Sequence, residues 1–247
     1  GGQAGPEKRW IDKVAPAIVV VAAYTFALWC KETAITLPAV LLVLELWRAP
    51  TFSWAISPRR WHLGSVGLHV CLWGITIFQL LFFFPHNIYN KAVAGPWHYL
   101  LGQAKVIWFY LAMLFHPGLL AAGYEVEVPS TLADPFVLAG GVGIVLLLVS
   151  SLATARRYPI PSLAVMWLLI TISPTSSFVP GPLLMDEDRT YLPFLAIYMV
   201  LGAAGALLWV GKRKWKVALV AGVAIVGAML STSARCVTWS DRIWIWL

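Results

Sequence analysis

PFVLAGGVGIVLLLVSSLAT, Pro135–Thr154, runs for twenty residues without a charge, with Asp134 just before it and Arg156 and Arg157 just after it. About twenty apolar residues, at ~1.5 Å of helical rise each, cross the ~30 Å hydrocarbon core of a bilayer. Such a run, with an acid at one end and an arginine pair at the other, reads as a membrane-spanning helix whose arginine end faces inward. The rest of the chain has the same character. It is 60% hydrophobic and 12% charged, holds 14 tryptophans and has a mean hydropathy of +0.78. A soluble domain carries roughly a quarter charged residues, so that class is excluded. The expectation is an all-α, polytopic membrane helical bundle, with 1–247 forming a single transmembrane domain.

Apolar runs and their breakers place seven crossings: Val14–Cys30, Ala34–Trp47, Gly64–Phe84, Pro135–Thr154, Ile160–Ser173, Tyr191–Val210 and Val217–Ser231. An eighth stretch, Tyr99–Leu120, carries Gln103 and Lys105 and is interrupted by "HPG" at His116–Gly118. Basic residues indicate whether it crosses, because they accumulate on the inner side. If it does not cross, Lys8, Arg9, Lys13, Arg48, Arg59, Arg60, Arg156, Arg157, Lys212, Arg213, Lys214 and Lys216 lie inside, 12 of the 18 bases. If it does cross, the split is nine to nine and the bias disappears. Tyr99–Leu120 is therefore read as re-entrant or interfacial, packed against protein because lipid does not tolerate a broken helix. The C-terminus then lies on the outer or lumenal side of a bacterial inner membrane or an ER-type membrane.

Of the eleven acids, Glu7, Asp12 and Glu45 fall inside, and Glu32, Glu125, Glu127, Asp134, Asp186, Glu187, Asp188 and Asp241 fall outside. The basic stretch "GKRKWK", Gly211–Lys216, lies between two spans and reads as an anchor at anionic headgroups, not as a nucleic-acid contact. Cys30, Cys71 and Cys236 show no paired spacing, and the five histidines form no HxH or HExxH pattern, so no metal site is expected. The chain opens GGQAGPEKRW without an initiator methionine and ends within apolar RIWIWL, so a piece of a longer polypeptide is expected.

Two features concentrate charge beside apolar segments. "CKET", Cys30–Thr33, joins two runs that are short for full crossings, which sinks Lys31 and Glu32 toward the membrane. Charges at that depth pair with one another or face a polar cavity. Both readings stand: a mutual Lys31–Glu32 pair, or a cavity wall that binds an anionic headgroup. "PTSSFVPGPLLMDEDRTYLP", Pro174–Pro193, is stiffened by four prolines and places Arg189 near a helix start, where Asp186 and Asp188 can cap backbone N–H groups. Arginine there is either a membrane-edge residue or a bidentate phosphate ligand.

These segments carry a family resemblance. "WCKETAITLPAVLLVLELW" (Trp29–Trp47), "QAKVIWFYLAMLFHPGLLAAGYEVEV" (Gln103–Val128), "PTSSFVPGPLLMDEDRTYLP" and "TSARCVTWSDRIWIW" (Thr232–Trp246) resemble, in order, segments of transmembrane and tetratricopeptide-repeat-containing proteins and their bacterial relatives. That family belongs to the GT-C membrane glycosyltransferases. The resemblance implies transfer of a sugar from a polyprenyl-phosphate donor to an acceptor, such as a protein Ser/Thr hydroxyl, on the outer face. The sugar donor is a substrate, and no cofactor is implied. Lys31 and Arg189 would bind the donor phosphate, with Glu32 and Asp188 orienting them. Trp97, Tyr99 and Tyr124 would line the acceptor or lipid path, although an interfacial aromatic belt explains them equally. The general base is expected upstream of residue 1.

The pattern departs from the family at Asp188–Arg189, where Glu-Arg is usual, and at Arg235–Cys236, where Arg-Asn is usual. Those departures favour a second reading, a non-catalytic GT-C-like scaffold that partners other subunits of a membrane assembly. A small transporter ranks third, because no inverted repeat is visible.

The charge split gives a direct test. In a cysteine-free background, cysteines introduced at Lys91, at Gly123 and in the 185–188 loop should all react with an impermeant thiol reagent applied from outside. Cysteines at Ser57 and Lys214 should be protected. Labelling at Gly123 from the inside alone would mean that Tyr99–Leu120 crosses.

Overall fold

A computed structural model of the chain describes residues 6–47, 63–82, 92–116, 119, 124, 126–177, 179–209 and 214–240. The basic positions Arg48, Arg59, Arg60, Lys91, Lys212 and Arg213, the "PG" of the expected break, and the terminal DRIWIWL beyond Ser240 lie outside the described residues. All the regular structure described is helical. In chain order it comprises α1 (Pro6–Cys30), a 3-10 turn (Glu32–Thr36) running into α2 (Leu37–Trp47), α3 (Leu63–Phe82), α4 (Pro96–Phe115), α5 (Pro135–Thr154), α6 (Pro159–Ile172), α7 (Leu195–Trp209) and α8 (Lys214–Ser240).

Proline and one acid set several of these boundaries. Pro96, Pro135 and Pro159 each occupy the first turn of a helix, where a missing N–H costs nothing. Asp134 caps α5 by accepting from Phe136 N at 2.8 Å. The expected interruption at His116 is real: α4 ends at Phe115, and His116 leaves the helical backbone region. The expected start of α7 moves. Arg189 belongs to a short 3-10 turn, Glu187–Arg189, capped by Asp186, and the α-helix begins only at Leu195. Pro193 lacks the N–H that a continuous helix through it would require.

Short helix α6 is the hub, packed against α2, α5 and α7, while α3 joins α1 and α2, and α8 rests on α7. The α5–α6 hairpin closes through two buried serines, with Ser151 Oγ donating to Ser162 O at 2.9 Å. Between α1 and α3, Thr76 Oγ1 donates back to Leu72 O, so the 2.6 Å contact from Tyr24 Oη is donated by the tyrosine. Glu45 on α2 meets His69 on α3 at 3.3 Å, and Trp47 Nε1 donates to Pro159 O at 3.1 Å.

Among the described residues, one helix is long and apolar enough to cross a membrane by length and composition, Pro135–Thr154, with 17% of it buried inside the molecule. The apolar stretches Ala15–Cys30, Val66–Phe82, Pro159–Ile172, Leu195–Leu207 and Ala218–Ala234 are shorter. On α5, Leu138, Val142, Val145 and Val149 form an exposed apolar stripe at helical spacing. The described side chains of α8 are exposed along its length.

Helix α4 meets α5 closely enough to exclude side chains. Trp108 Nε1 donates to Gly140 O at 2.9 Å. A Cβ on Gly140 would stand 2.9 Å from the Ala104 carbonyl carbon, whereas one on Gly141 would meet nothing within 4 Å. Gly140→Ala should therefore lose about 1–3 kcal/mol through overpacking. Gly141→Ala should be neutral or gain up to about 1 kcal/mol from helix propensity. Thermal unfolding of the two variants in detergent checks the contrast.

Candidate functional site

The loop 174–193 does not hang free of the bundle; it lies lengthwise along α4. Tyr99, Gln103, Val106 and Tyr110 recur at intervals of four, three and four residues, so they share one helix face. The three polar side chains of that face each hold loop backbone. Tyr99 Oη donates to Thr175 O at 2.8 Å, and Gln103 Nε2 donates to Leu184 O at 2.7 Å. Tyr110 Oη donates to Asp186 O at 2.9 Å and accepts from Asp186 N at 2.8 Å. Leu184 and Met185 drop into the core between these anchors, beside Val106, Ile107 and Met113. A cluster of apolar side chains under a proline-rich loop thus carries polar anchors at its edge, which satisfies carbonyls that the irregular backbone cannot pair itself.

Arg189 closes the clamp. Its Nη1 donates to Tyr99 Oη at 2.9 Å and reaches Thr175 O at 3.5 Å, while Nη2 donates to Leu183 O at 3.1 Å. Gly181 permits this approach: a Cβ there would stand 3.1 Å from Nη2 and 3.4 Å from Tyr99 Oη. The guanidinium therefore grips the loop's own backbone, and its acid neighbour Asp188 points elsewhere.

Asp188 instead reaches the "CKET" turn. Lys31 Nζ donates to Asp188 Oδ2 at 2.7 Å, across 157 residues of chain, and stands 5.3 Å from the centre of the Tyr191 ring. Of the two readings of this turn, a mutual Lys31–Glu32 pair is not the arrangement formed. Glu32 is exposed and acts on Lys31 through charge alone. The hydrogen bond to Asp188, followed by the charges of Asp188, Tyr191 and Glu32, raises the Lys31 pKa above the ordinary lysine value despite partial burial. A raised folded pKa makes this stabilisation complete below the ordinary lysine value of about 10.4 and removes it as pH rises through the folded value. Through the neutral range Lys31 is a half-buried cation with an exposed carboxylate as its partner.

The aromatic candidates separate. Tyr99 is fully buried as the hub of the clamp, whereas Trp97, two residues away on α4, is 51% exposed. Tyr124 is half-buried, edge-on to Phe109 with ring centroids 6.1 Å apart, and its hydroxyl donates to Glu187 Oε2 at 3.4 Å. Lys31, Asp188, Arg189, Tyr99 and Tyr124 therefore gather around the 186–191 turn, Glu32 flanks it, and Trp97 stands apart. Among the described residues, no three His, Cys, Asp or Glu side chains are grouped as metal ligands. Gln103, Tyr110 and Trp167, whose Nε1 donates to Leu192 O at 2.9 Å, complete the hold on the loop and were not singled out from sequence. The one-face spacing of Tyr99, Gln103 and Tyr110 was the available signal.

No family profile, curated protein or solved structure matches this chain.

The clamp makes a stability prediction. Arg189→Ala takes the donor away from the part-buried Tyr99 Oη and leaves the exposed Leu183 carbonyl to water, and should lower unfolding stability by about 1 kcal/mol. Arg189→Lys should recover only part of it, because one ammonium cannot serve both guanidinium acceptor sets. Tyr99→Phe should lose a similar amount, and the double variant should lose less than the sum of the two singles. Thermal unfolding of the four proteins decides; additive losses would show that the two groups act independently.

Proposed function

We propose that the chain is the C-terminal part of the membrane domain of a GT-C-like glycosyltransferase. It would use a polyprenyl-phosphate sugar donor and an acceptor on the outer face. The observation that carries the reading is the 2.7 Å contact between Lys31 and Asp188. It joins the "CKET" turn to the "DEDR" loop, while Gln103 fastens that loop to α4, so three of the four family-like segments meet at one corner. In this reading Lys31 neutralises the charge that grows on the departing lipid phosphate, an electrostatic contribution that commonly dominates transfer chemistry. Asp188 holds the same ammonium when no phosphate is bound. Arg189 fixes the loop and presents its remaining donor edge to the phosphate.

The membrane arrangement, seven crossings with the C-terminus outside, belongs to the same proposal. Exposed apolar surfaces on α5 and α8 support it, because lipid covers such surfaces and water does not. The geometry of α4 supports its interfacial assignment. Tyr99 and Tyr110, about 16 Å apart along the helix, bond to the same outer loop.

A second reading, the non-catalytic scaffold, draws on the same contacts. Both cations already have internal partners, Lys31 in Asp188 and Arg189 in Tyr99 and loop carbonyls. The two readings differ over Asp188. If phosphate replaces it on Lys31, Asp188→Asn in the full-length protein should tighten binding of polyprenyl phosphate in nanodiscs severalfold. Lys31→Met should weaken binding about tenfold or more, as expected for loss of a charged hydrogen bond. The scaffold reading gives unchanged lipid affinity in both variants, with melting temperature alone affected.

A further inference from the structure

Helix α5 carries a groove along its exposed side. Leu138, Val142, Val145 and Leu146 are each more than half exposed, and Gly141 among them offers no side chain. A Cβ on Gly141 would meet nothing within 4 Å, so the surface is indented there. The groove has a volume of about 360 Å³, and Leu132, from the loop before the helix, lines it too. From Val137 to Leu146 it covers ~13 Å of helical rise. One leaflet of a bilayer contributes ~15 Å of hydrocarbon, half of the ~30 Å core. The groove starts in the first turns of α5, at the end that Asp134 caps.

A second cavity, of about 350 Å³, lies at that capped end and is polar, lined by Lys105, Glu127, Ser130, Thr131 and Asp134. The two cavities share one stretch of chain. Leu132 lines the groove, and its neighbours Thr131 and Ala133 line the polar cavity. Lys105 Nζ donates to Asp134 Oδ2 at 2.9 Å, and Asp134 Oδ1 accepts from Phe136 N at 2.8 Å. The first of these bonds, then the second, holds the Asp134 carboxyl below the ordinary carboxylate range. An ammonium has three donors, and Asp134 takes one of those of Lys105. One lysine against two acids leaves the cavity with a single negative charge in excess. Among the described residues, no aromatic ring lines it.

We propose that groove and cavity together hold one phospholipid of the outer leaflet, with a phosphate and a primary ammonium in its headgroup. An acyl chain lies in the groove beside Gly141. The phosphate takes the remaining donors of Lys105 and the hydroxyls of Ser130 and Thr131, and the ammonium donates to Glu127. The charge balance separates this occupant from other lipids. An anionic headgroup would add negative charge to a cavity that already has an excess. A trimethylammonium headgroup has no N–H to donate, and its usual recognition is by aromatic faces. The inference rests on α5 crossing the bilayer with its Asp134 end outside; it does not depend on sugar transfer and holds equally for a scaffold.

The test reconstitutes the full chain in vesicles of equal parts phosphatidylethanolamine, phosphatidylcholine and phosphatidylglycerol. The vesicles are floated on a density gradient, and the gently extracted protein is weighed with its retained lipid by native mass spectrometry. Phosphatidylethanolamine should be retained about tenfold more than either of the others, the scale of a charge-assisted hydrogen bond. Glu127→Gln should remove the preference over phosphatidylcholine; Glu127 is exposed, so the core is untouched. Gly141→Leu puts a side chain where a Cβ meets nothing, and should lower retention of all three lipids severalfold at unchanged melting temperature. The site is overturned if the three lipids are retained equally or phosphatidylglycerol is favoured. It is also overturned if Glu127→Gln keeps the preference, or if Gly141→Leu retains lipid as the parent does. A chain that failed to float would overturn the crossing of α5 and the site with it, whereas one that floats without the preference overturns the site alone.

Discussion

Tyr99 and Arg189 hold one another inside a chain that is poor in charge. The phenol is fully buried and takes the arginine Nη1 at 2.9 Å while donating to Thr175 O at 2.8 Å. The arginine is half-buried, and its Nη1 meets the buried phenol while its Nη2 reaches the exposed Leu183 carbonyl, so the fully desolvated partner is the tyrosine. Each group answers the other's need. Four prolines between 174 and 193 remove backbone donors from the loop, so its carbonyls depend on side chains. The position of Asp188, and through it the contact with Lys31, follows from that clamp.

The polar side chains of the remaining bundle are used in a similar way. Ser151 with Ser162, Tyr24 with Thr76, and Trp47 with Pro159 each tie two helices together where apolar packing alone would permit sliding. A hydrophobic surface is directionless, whereas a hydrogen bond in an apolar setting has one satisfactory geometry. Lys31–Asp188, like Trp47–Pro159, is exposed, in contrast to the two buried ties. Its side chains are 37% and 55% accessible, so water screens the pair and another anion can compete for the ammonium. The rigid clamp and the exchangeable pair are adjacent in sequence, at 189 and 188, and opposite in physical character. One residue holds the loop's backbone, and its neighbour reaches out to another helix turn.

Helix α4 shows how far pattern reading reaches. Its break after Phe115 was legible because "HPG" does not continue a helix. Its use as the platform for a distant loop was not read, although Tyr99, Gln103 and Tyr110 share a face. Within an apolar helix those residues also suit an interfacial belt, and spacing does not distinguish a water-facing hydroxyl from one that meets a carbonyl about eighty residues on.

Helix positions and the prominence of the "CKET" and "DEDR" segments came from local properties. These were apolar run length, proline at first turns, an aspartate cap and short connections, all written within a few residues of where they act. The partners of Lys31 and Arg189 belonged to another level. Glu32 and Asp188 were the sequence-adjacent choices for those two cations. The folded chain gives Asp188 to Lys31, leaves Glu32 exposed beside it, and leaves Arg189 with Tyr99 and two carbonyls. Adjacent side chains on a turn diverge, and the acceptor that meets a cation is whichever one packing of the apolar helices carries to it. Bringing Lys31 to Asp188 depends on α2 lying against α6 and on the loop lying along α4, contacts that hydrophobic pattern makes favourable without specifying the partner. Helix extents are therefore a property of nearby residues, whereas the ion pair at 31 and 188 is a property of the assembled bundle.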